Sequence, residues 1–234
     1  MSSHNYSISY NPEFIRQGSI IADQARPDLV LIGADEEPIK KYLVEIYNVM
    51  TDNDPPIEVM SVLEAEITKL ALNCYLTTKI SFSSMLGDLC TTVGARPQRV
   101  LDAIGADVRV GPKLLKYSFG YGGTCLPRDN RALSAFAKKI GKKCLISDAT
   151  DQVNKEHTQF QIDEFCKKAP KDQPVTFNGV TFKPGSDIIE ESQQLAFAVG
   201  VAEAGYDVTV CDRKVVMDEV KSIYKDLFKY KIKK

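Results

Sequence analysis

Apolar and polar positions alternate along this chain in three different rhythms. Asp28-Leu29-Val30-Leu31-Ile32-Gly33 is a short apolar run that reads as a buried strand. Pro38 then opens a helical pattern carrying Ile39, Leu43, Ile46, Tyr47 and Met50, broken by Asp52 to Pro56, where a boundary is expected. The strongest periodic segment follows. Ser61-Val62-Leu63-Glu64 has the form of a capping box, in which the serine oxygen and glutamate carboxylate satisfy orphan amides at a helix start. From there to Thr92 there is no proline and one glycine, Gly87, and apolar residues recur at Leu63, Ile67, Leu70 and Cys74. Gly94 is a natural stop. The pattern predicts a helix of about 30 residues spanning about 45 Å. Such a helix often forms a subunit interface or a bridge between domains.

Shorter helices are expected from Pro97 to Ile104, ended by Gly105, from Pro127 to Gly141, and from a cap at Asp148 to about Lys168. After Pro170 the rhythm changes. Val175-Thr176-Phe177 and Val180-Thr181-Phe182 are strand-like, Glu191 to Ala204 is helical, and Asp207 to Asp212 is a further strand. Strand, helix and strand in that order predict a parallel βαβ unit. The expected fold class is α/β with a central all-helical domain built on one long helix, between two small α/β segments.

Composition narrows the function classes. The 234 residues, 44% hydrophobic, allow one large domain or two modest ones. Thirty basic against 31 acidic residues leave no electrostatic footprint for nucleic acid. The Lys-rich end from Lys221 to Lys234 reads as a solvated helix face or a fraying tail. No apolar run approaches the roughly 18 residues of a membrane span, and Met1 to Ser9 lacks the apolar core of a signal peptide. The six cysteines include no CxxC pair, which fits reduced thiols in a cytoplasmic protein. His4 and His157 have no ligand neighbours at useful spacing, so no metal site is expected.

Candidate chemistry centres on Phe119-Gly120-Tyr121-Gly122-Gly123-Thr124-Cys125-Leu126-Pro127-Arg128-Asp129. Cys125 precedes a helix expected to begin at Pro127, and a helix N-terminus offers the partial positive charge and free amides that favour a thiolate. The glycines allow close backbone approach to a substrate, and Asp129 suits proton handling near the sulfur. The same residues serve equally as a small hydrophobe and a helix-start acid. Glu66, Lys69 and Asn73 share one helix face. A lysine plus an amide can hold an oxyanion, or the face can be solvated and salt-bridged. Glu13, in Asn11-Pro12-Glu13-Phe14, is either a general base or a turn-surface acid.

Four segments in chain order resemble the UDP-glucose/GDP-mannose dehydrogenase family. They are Asn11 to Ser19, Glu66 to Asn73, the run through Cys125, and Asn178-Gly179-Val180-Thr181-Phe182-Lys183-Pro184 with Ser192 further on. The wording around Cys125 is similar to that of bacterial UDP-glucose 6-dehydrogenases. The resemblance runs from residue 10 to 213. It implies oxidation of a sugar 6-hydroxyl to a carboxylate with NAD as cofactor and a nucleotide sugar as substrate. By position, Cys125 would form a thiohemiacetal and then a thioester, with Lys69 and Asn73 stabilising the oxyanion. Asp129 would manage the proton of a water, and Glu13 would serve as acid or base. Phe14, Gly122 and Lys183 would line the sugar-nucleotide pocket, and Arg109 would reach substrate in a partner subunit. The long helix would be the core of a homodimer.

The chain also departs from the family pattern. No GxGxxG follows a first strand, and the resemblance enters near the end of the NAD-binding domain and stops soon after Asp212. A threonine that relatives use beside the catalytic water has no counterpart. Gln17 stands where many relatives have Glu, and Glu190 where the pattern has an arginine that contacts NAD. The implied layout is a C-terminal remnant of an NAD-binding domain at 1–55, a central helical substrate and dimerisation domain at 56–170, and a partial Rossmann-like UDP-binding domain at 171–234. Such a chain alone would hold NAD poorly. It would work with a separate NAD-binding chain, or be a non-catalytic nucleotide-sugar-binding or dimerisation module or a degenerate paralogue. A purely structural helical dimer is a third class; it leaves the catalytic set unexplained.

Overall fold

A computed structural model describes residues 6–14 and 18–233; Gln17 and His4 lie outside them. By internal contacts the chain divides into two compact units, one up to Leu72 and one from Asn73 onward.

The first unit holds, in chain order, β1 (Ser9–Tyr10), α1 (Ile20–Ala25), β2 (Val30–Ala34), α2 (Glu37–Met50), β3 (Ile57–Met60) and the first turns of α3 (Val62–Thr92). The sheet order is β1-β2-β3, with β2 central. It pairs parallel with β3, from Val30↔Ile57 to Gly33↔Met60, and antiparallel with β1. All five residues of β2 are buried, which is why the strand reads as an unbroken apolar run. Ile39, Leu43, Val44 and Tyr47 of α2 cover Val30, Ile32 and Ala34. Gly33 lets α3 come close: a β-carbon there would lie 2.7 Å from that of Ala65. The flanking elements β1, α1 and β3 are too short to carry a sequence period.

The long helix α3 has 31 residues and the ends its sequence predicts. The Glu64 carboxylate accepts from the Ser61 amide at 2.9 Å, and Ser61 Oγ accepts from the Glu64 amide at 3.3 Å, a reciprocal capping box. At the other end Gly94 takes φ +73°, while the Ala95 amide donates to Cys90 and the Gly94 amide to Thr91. This is a Schellman closure. The face that α3 buries is mostly small and polar. Leu63 and Ile67 are exposed and Leu70 is half-buried, whereas Cys74, Thr77, Ser81, Ser83, Ser84 and Cys90 are buried. The hydroxyls cost little to bury because they donate to carbonyls, Thr77 to Cys74, Ser83 to Lys79 and Ser81 to Thr150. Small side chains also admit close neighbours. A β-carbon on Gly87 would fall 1.9 Å from the Tyr117 ring.

The second unit continues with α4 (Pro97–Gly105), α5 (Leu126–Lys139), α6 (Leu145–Lys168), β4 (Val175–Asn178), α7 (Gln193–Glu203), β5 (Val208–Asp212), α8 (Lys214–Tyr224) and β6 (Lys229–Ile232). The parallel sheet has order β4-β5-β6. Val180, Leu195, Val201, Val208, Val210, Val216 and Val220 form its core. Phe165, Phe177, Phe197 and Tyr206 add an edge-packed aromatic cluster with centroids 5.4–6.1 Å apart.

Several expectations are corrected here. Val180 to Phe182 is not a strand: Gly179 turns the chain at φ +89°, and the Val180 amide donates to the Asp212 carboxylate instead of a ladder partner. The Lys-rich end is neither a solvated helix face throughout nor a frayed tail. Lys229–Ile232 forms the edge strand β6, with Lys229 and Lys231 exposed, as edge lysines commonly are. Asp148 does not cap α6, which begins at Leu145 after Cys144; its carboxylate accepts from Ser134 Oγ at 2.5 Å. Helix α7 begins at Gln193 rather than Glu191, because Glu191 has φ +53° and Ser192 Oγ caps the Leu195 amide. Pro127 is the second residue of α5, after Leu126. Among the described residues no helix is long and apolar enough to cross a membrane.

Candidate functional site

Cys125 is the residue immediately before α5, and its side chain is exposed. Its carbonyl accepts the Asp129 amide at 2.9 Å, and Thr124 Oγ1 lies 3.5 Å from its sulfur. One turn into the helix, Asp129 is buried, with only 2% exposure. Each carboxylate oxygen has a donor. Arg128 Nε donates to Oδ1 at 2.9 Å and Asn73 Nδ2 to Oδ2 at 2.6 Å. Those bonds explain how a charged group tolerates the interior. They also push Arg128 upward in pKa, first through the hydrogen bond to Asp129. Asn73 thus spends one N–H on Asp129 and keeps another to offer. Below them, the Cys74 thiol donates to the Asp129 carbonyl at 3.6 Å, and burial raises its pKa.

The loop ahead of Cys125 is held by packing. Phe119 stacks edge-on to Phe197 at 5.7 Å. Tyr121 is buried, its phenol pushed upward in pKa by burial and then by the nearby Asp151 charge. Gly122 is buried too, and a β-carbon on it would stand 2.2 Å from the Glu191 carbonyl oxygen. The close approach that this glycine permits is therefore to the chain's own 180–192 loop. Gly123, at φ +80°, donates its amide to the Glu190 carbonyl at 3.0 Å.

In the first unit, Lys69 Nζ donates to the Glu13 carbonyl at 2.7 Å and sits 4.5 Å from the centre of the Phe14 ring. Hydrogen bond and cation–π contact fix the ammonium against one short segment. Glu13 itself is exposed. Its charge and the burial of Tyr47 together raise the Tyr47 pKa, burial contributing more.

Glu66 is exposed on α3. Arg109 is exposed and pairs with Asp107 in its own turn, Nη2 to Oδ2 at 2.6 Å and Nε to Oδ1 at 3.0 Å. Lys183 is half-buried, and its carbonyl accepts from Thr181 Oγ1 at 3.1 Å.

Residues without any sequence signal complete the scaffold. Arg131, on α5, reaches Glu191 at 2.7 Å and Asp151 at 3.1 Å. Both carboxylates raise its pKa, the Glu191 hydrogen bond most. Asp88, Tyr117 and His157 form a second knot: His157 Nδ1 lies 2.8 Å from Asp88, and Nε2 donates to the Ser118 carbonyl at 2.7 Å. Tyr117 donates to Asp88 at 2.8 Å, and its pKa is raised to about 12, chiefly by burial. These partners are remote in sequence, so no local spacing announces them.

The described strand-to-helix turns carry no glycine-rich phosphate loop. The turn after β2, Ala34-Asp35-Glu36-Glu37, is acidic where a pyrophosphate needs open amides. The connection from β4 to α7 carries Glu190 and Glu191 just before its Ser192 cap, and neither turn has the spaced glycines of a phosphate loop.

Comparison with known proteins gives the family. Residues 63–156 match the central domain of the UDP-glucose/GDP-mannose dehydrogenase family, and residues 1–51 match its NAD binding domain. UDP-glucose 6-dehydrogenase AglM of Haloferax volcanii is 32% identical over 208 residues, covering 88% of this chain and 48% of that protein. UDP-glucose 6-dehydrogenase of Rhizobium meliloti is 33% identical over 211 residues, with coverage of 88% and 48%. A solved UDP-glucose dehydrogenase from Pyrobaculum islandicum superposes with a TM-score of 0.87 at 32% identity, covering 96% of this chain and 51% of that one. The chain spans about half the length of the curated relatives it matches. With the ordered motifs around Asn73, Cys125 and Asp129, these likenesses place the chain in the UDP-glucose/GDP-mannose dehydrogenase family.

Proposed function

We propose that the chain carries the nucleotide-sugar half of a UDP-glucose 6-dehydrogenase-type reaction, with Cys125 as its nucleophile. The observation that carries this reading is an exposed thiol at the start of α5, one turn from a buried carboxylate whose oxygens are held by Asn73 and Arg128. In this reading Cys125 Sγ adds to the C6 carbonyl carbon of the sugar. At the thioester stage water adds to that carbon, the C–S bond breaks and the thiolate leaves. Asp129 takes the proton of the water, and the free N–H of Asn73 donates to the developing oxyanion. In the first unit Lys69 is assigned a donor role, Glu13 acid–base work and Phe14 a place against the substrate. Lys183, Arg109 and Gly122 are assigned to substrate binding. The oxidation itself belongs to NAD, for which the described turns offer no glycine-rich phosphate loop.

The same reading divides the chain at 55/56 and 170/171 and makes it a homodimer. Tyr75, Phe82, Met85 and Leu89 along α3, with Val93 just past its end, are exposed at helical spacing, an apolar stripe that a second copy would cover. Cytoplasmic residence fits six unpaired cysteines. The acidic turns ahead of α2 and α7 favour a second reading, a nucleotide-sugar-binding or dimerisation module without turnover. Calorimetric titration with UDP-glucose and with NAD, followed by an NADH absorbance assay, separates the two. NADH formation lost in Cys125→Ala supports the enzyme. Sugar-nucleotide binding without turnover sinks turnover by the isolated chain and supports the module, and no binding of either ligand leaves only the dimerisation reading.

A further inference from the structure

We infer that Asn154 is a positioning residue for Cys125. Asn154 lies in α6, is 5% exposed, and makes a two-way clamp on one residue of the glycine loop. Its Oδ1 accepts the Tyr121 amide and its Nδ2 donates to the Tyr121 carbonyl, both at 2.9 Å. The amide side chain thereby acts as a strand edge would, satisfying both backbone groups of a buried loop residue. Gly120 is what admits it. A β-carbon there would stand 2.1 Å from Asn154 Oδ1.

A second brace meets the loop from the other side. Thr158, one turn further along α6, donates to Gln193 Oε1 at 2.5 Å, and Gln193 Nε2 donates to the Glu191 carbonyl at 3.0 Å. That carbonyl is the atom against which Gly122 packs, and Gly123 donates to the adjoining Glu190 carbonyl. The loop is therefore held between α6 and the 180–192 segment, and Cys125 follows it by two residues. Losing the Asn154 clamp frees Tyr121 and moves the sulfur relative to the start of α5.

This inference rests on the reading of Cys125 as a nucleophile, and its test needs no turnover. Iodoacetamide alkylation of the full chain is followed by mass mapping at Cys125 and at the half-buried Cys144 and Cys166 as internal references. With two neutral hydrogen bonds lost, Asn154→Ala is expected to slow alkylation at Cys125 about tenfold and leave the reference thiols unchanged. Asn154→Asp keeps the acceptor for the Tyr121 amide and loses the donor, so about a threefold slowing is expected. An unchanged Cys125 rate in a folded variant overturns the proposal, as does a change shared by all three thiols, which marks general loosening. If Asn154→Ala does not fold, the isosteric Asn154→Asp decides alone. A parallel arm adds UDP-glucose to the wild-type chain. Lack of protection at Cys125 counts against the nucleotide-sugar reading and leaves the Asn154 result standing.

Discussion

Asp129 concentrates the physics of the candidate site in one carboxylate. Lodged in the interior, it stays compatible with folding because Asn73 and Arg128 each bond one oxygen. Removing Asn73 leaves Oδ2 facing protein without its donor. Asn73→Ala is therefore expected to lower the free energy of urea unfolding by about 2 kcal/mol, the range for a hydrogen bond to a charged group. An unfolding curve superimposable on wild type would show that solvent replaces the amide and that Asp129 is effectively exposed. At this scale the sequence offers Cys125, Asn73, Asp129 and Lys69 as candidates, and the family resemblance supplies the roles proposed for them. What it leaves unread are Asn154, Arg131 and the Asp88–His157 knot, because each acts on residues brought near only by folding.

Helix α3 shows how element-scale signals divide. Its ends are local, and both are legible: the Ser61–Glu64 box and the Gly94 closure involve residues within a few positions of each other. Gly94→Ala forces a β-carbon into a left-handed backbone and is expected to cost about 1 kcal/mol. A lower thermal midpoint for that variant, with unchanged helical circular dichroism, is the measurement. The face that α3 buries is not set locally, and the apolar period alone does not name it. Serine, threonine and glycine are inside because their neighbours lie close and their hydroxyls find carbonyls. Val180 to Phe182 fails as a strand for a related reason. Its β-branched residues favour extension, but Asp212, many residues away, claims the Val180 amide.

For the molecule as a whole, the apolar stripe from Tyr75 to Val93 bears on assembly. The proposed homodimer predicts that Phe82→Glu combined with Leu89→Glu lowers the sedimentation mass to that of a monomer, while secondary structure persists. A wild-type chain already monomeric at micromolar concentration would remove the dimer from the proposal. Order along the chain is what the sequence by itself determined: the buried strand β2, the two ends of α3, the succession of helices, the βαβ unit, and the motif order that marks the family. Those features depend on neighbours in the chain, where period and propensity act directly. Only the tertiary structure decided which face of α3 is interior, that the Lys-rich end joins the sheet as β6, and that the glycines before Cys125 serve its own supporting loop. Each of those depends on a contact between distant residues, and such contacts leave no periodic trace in the residues that make them.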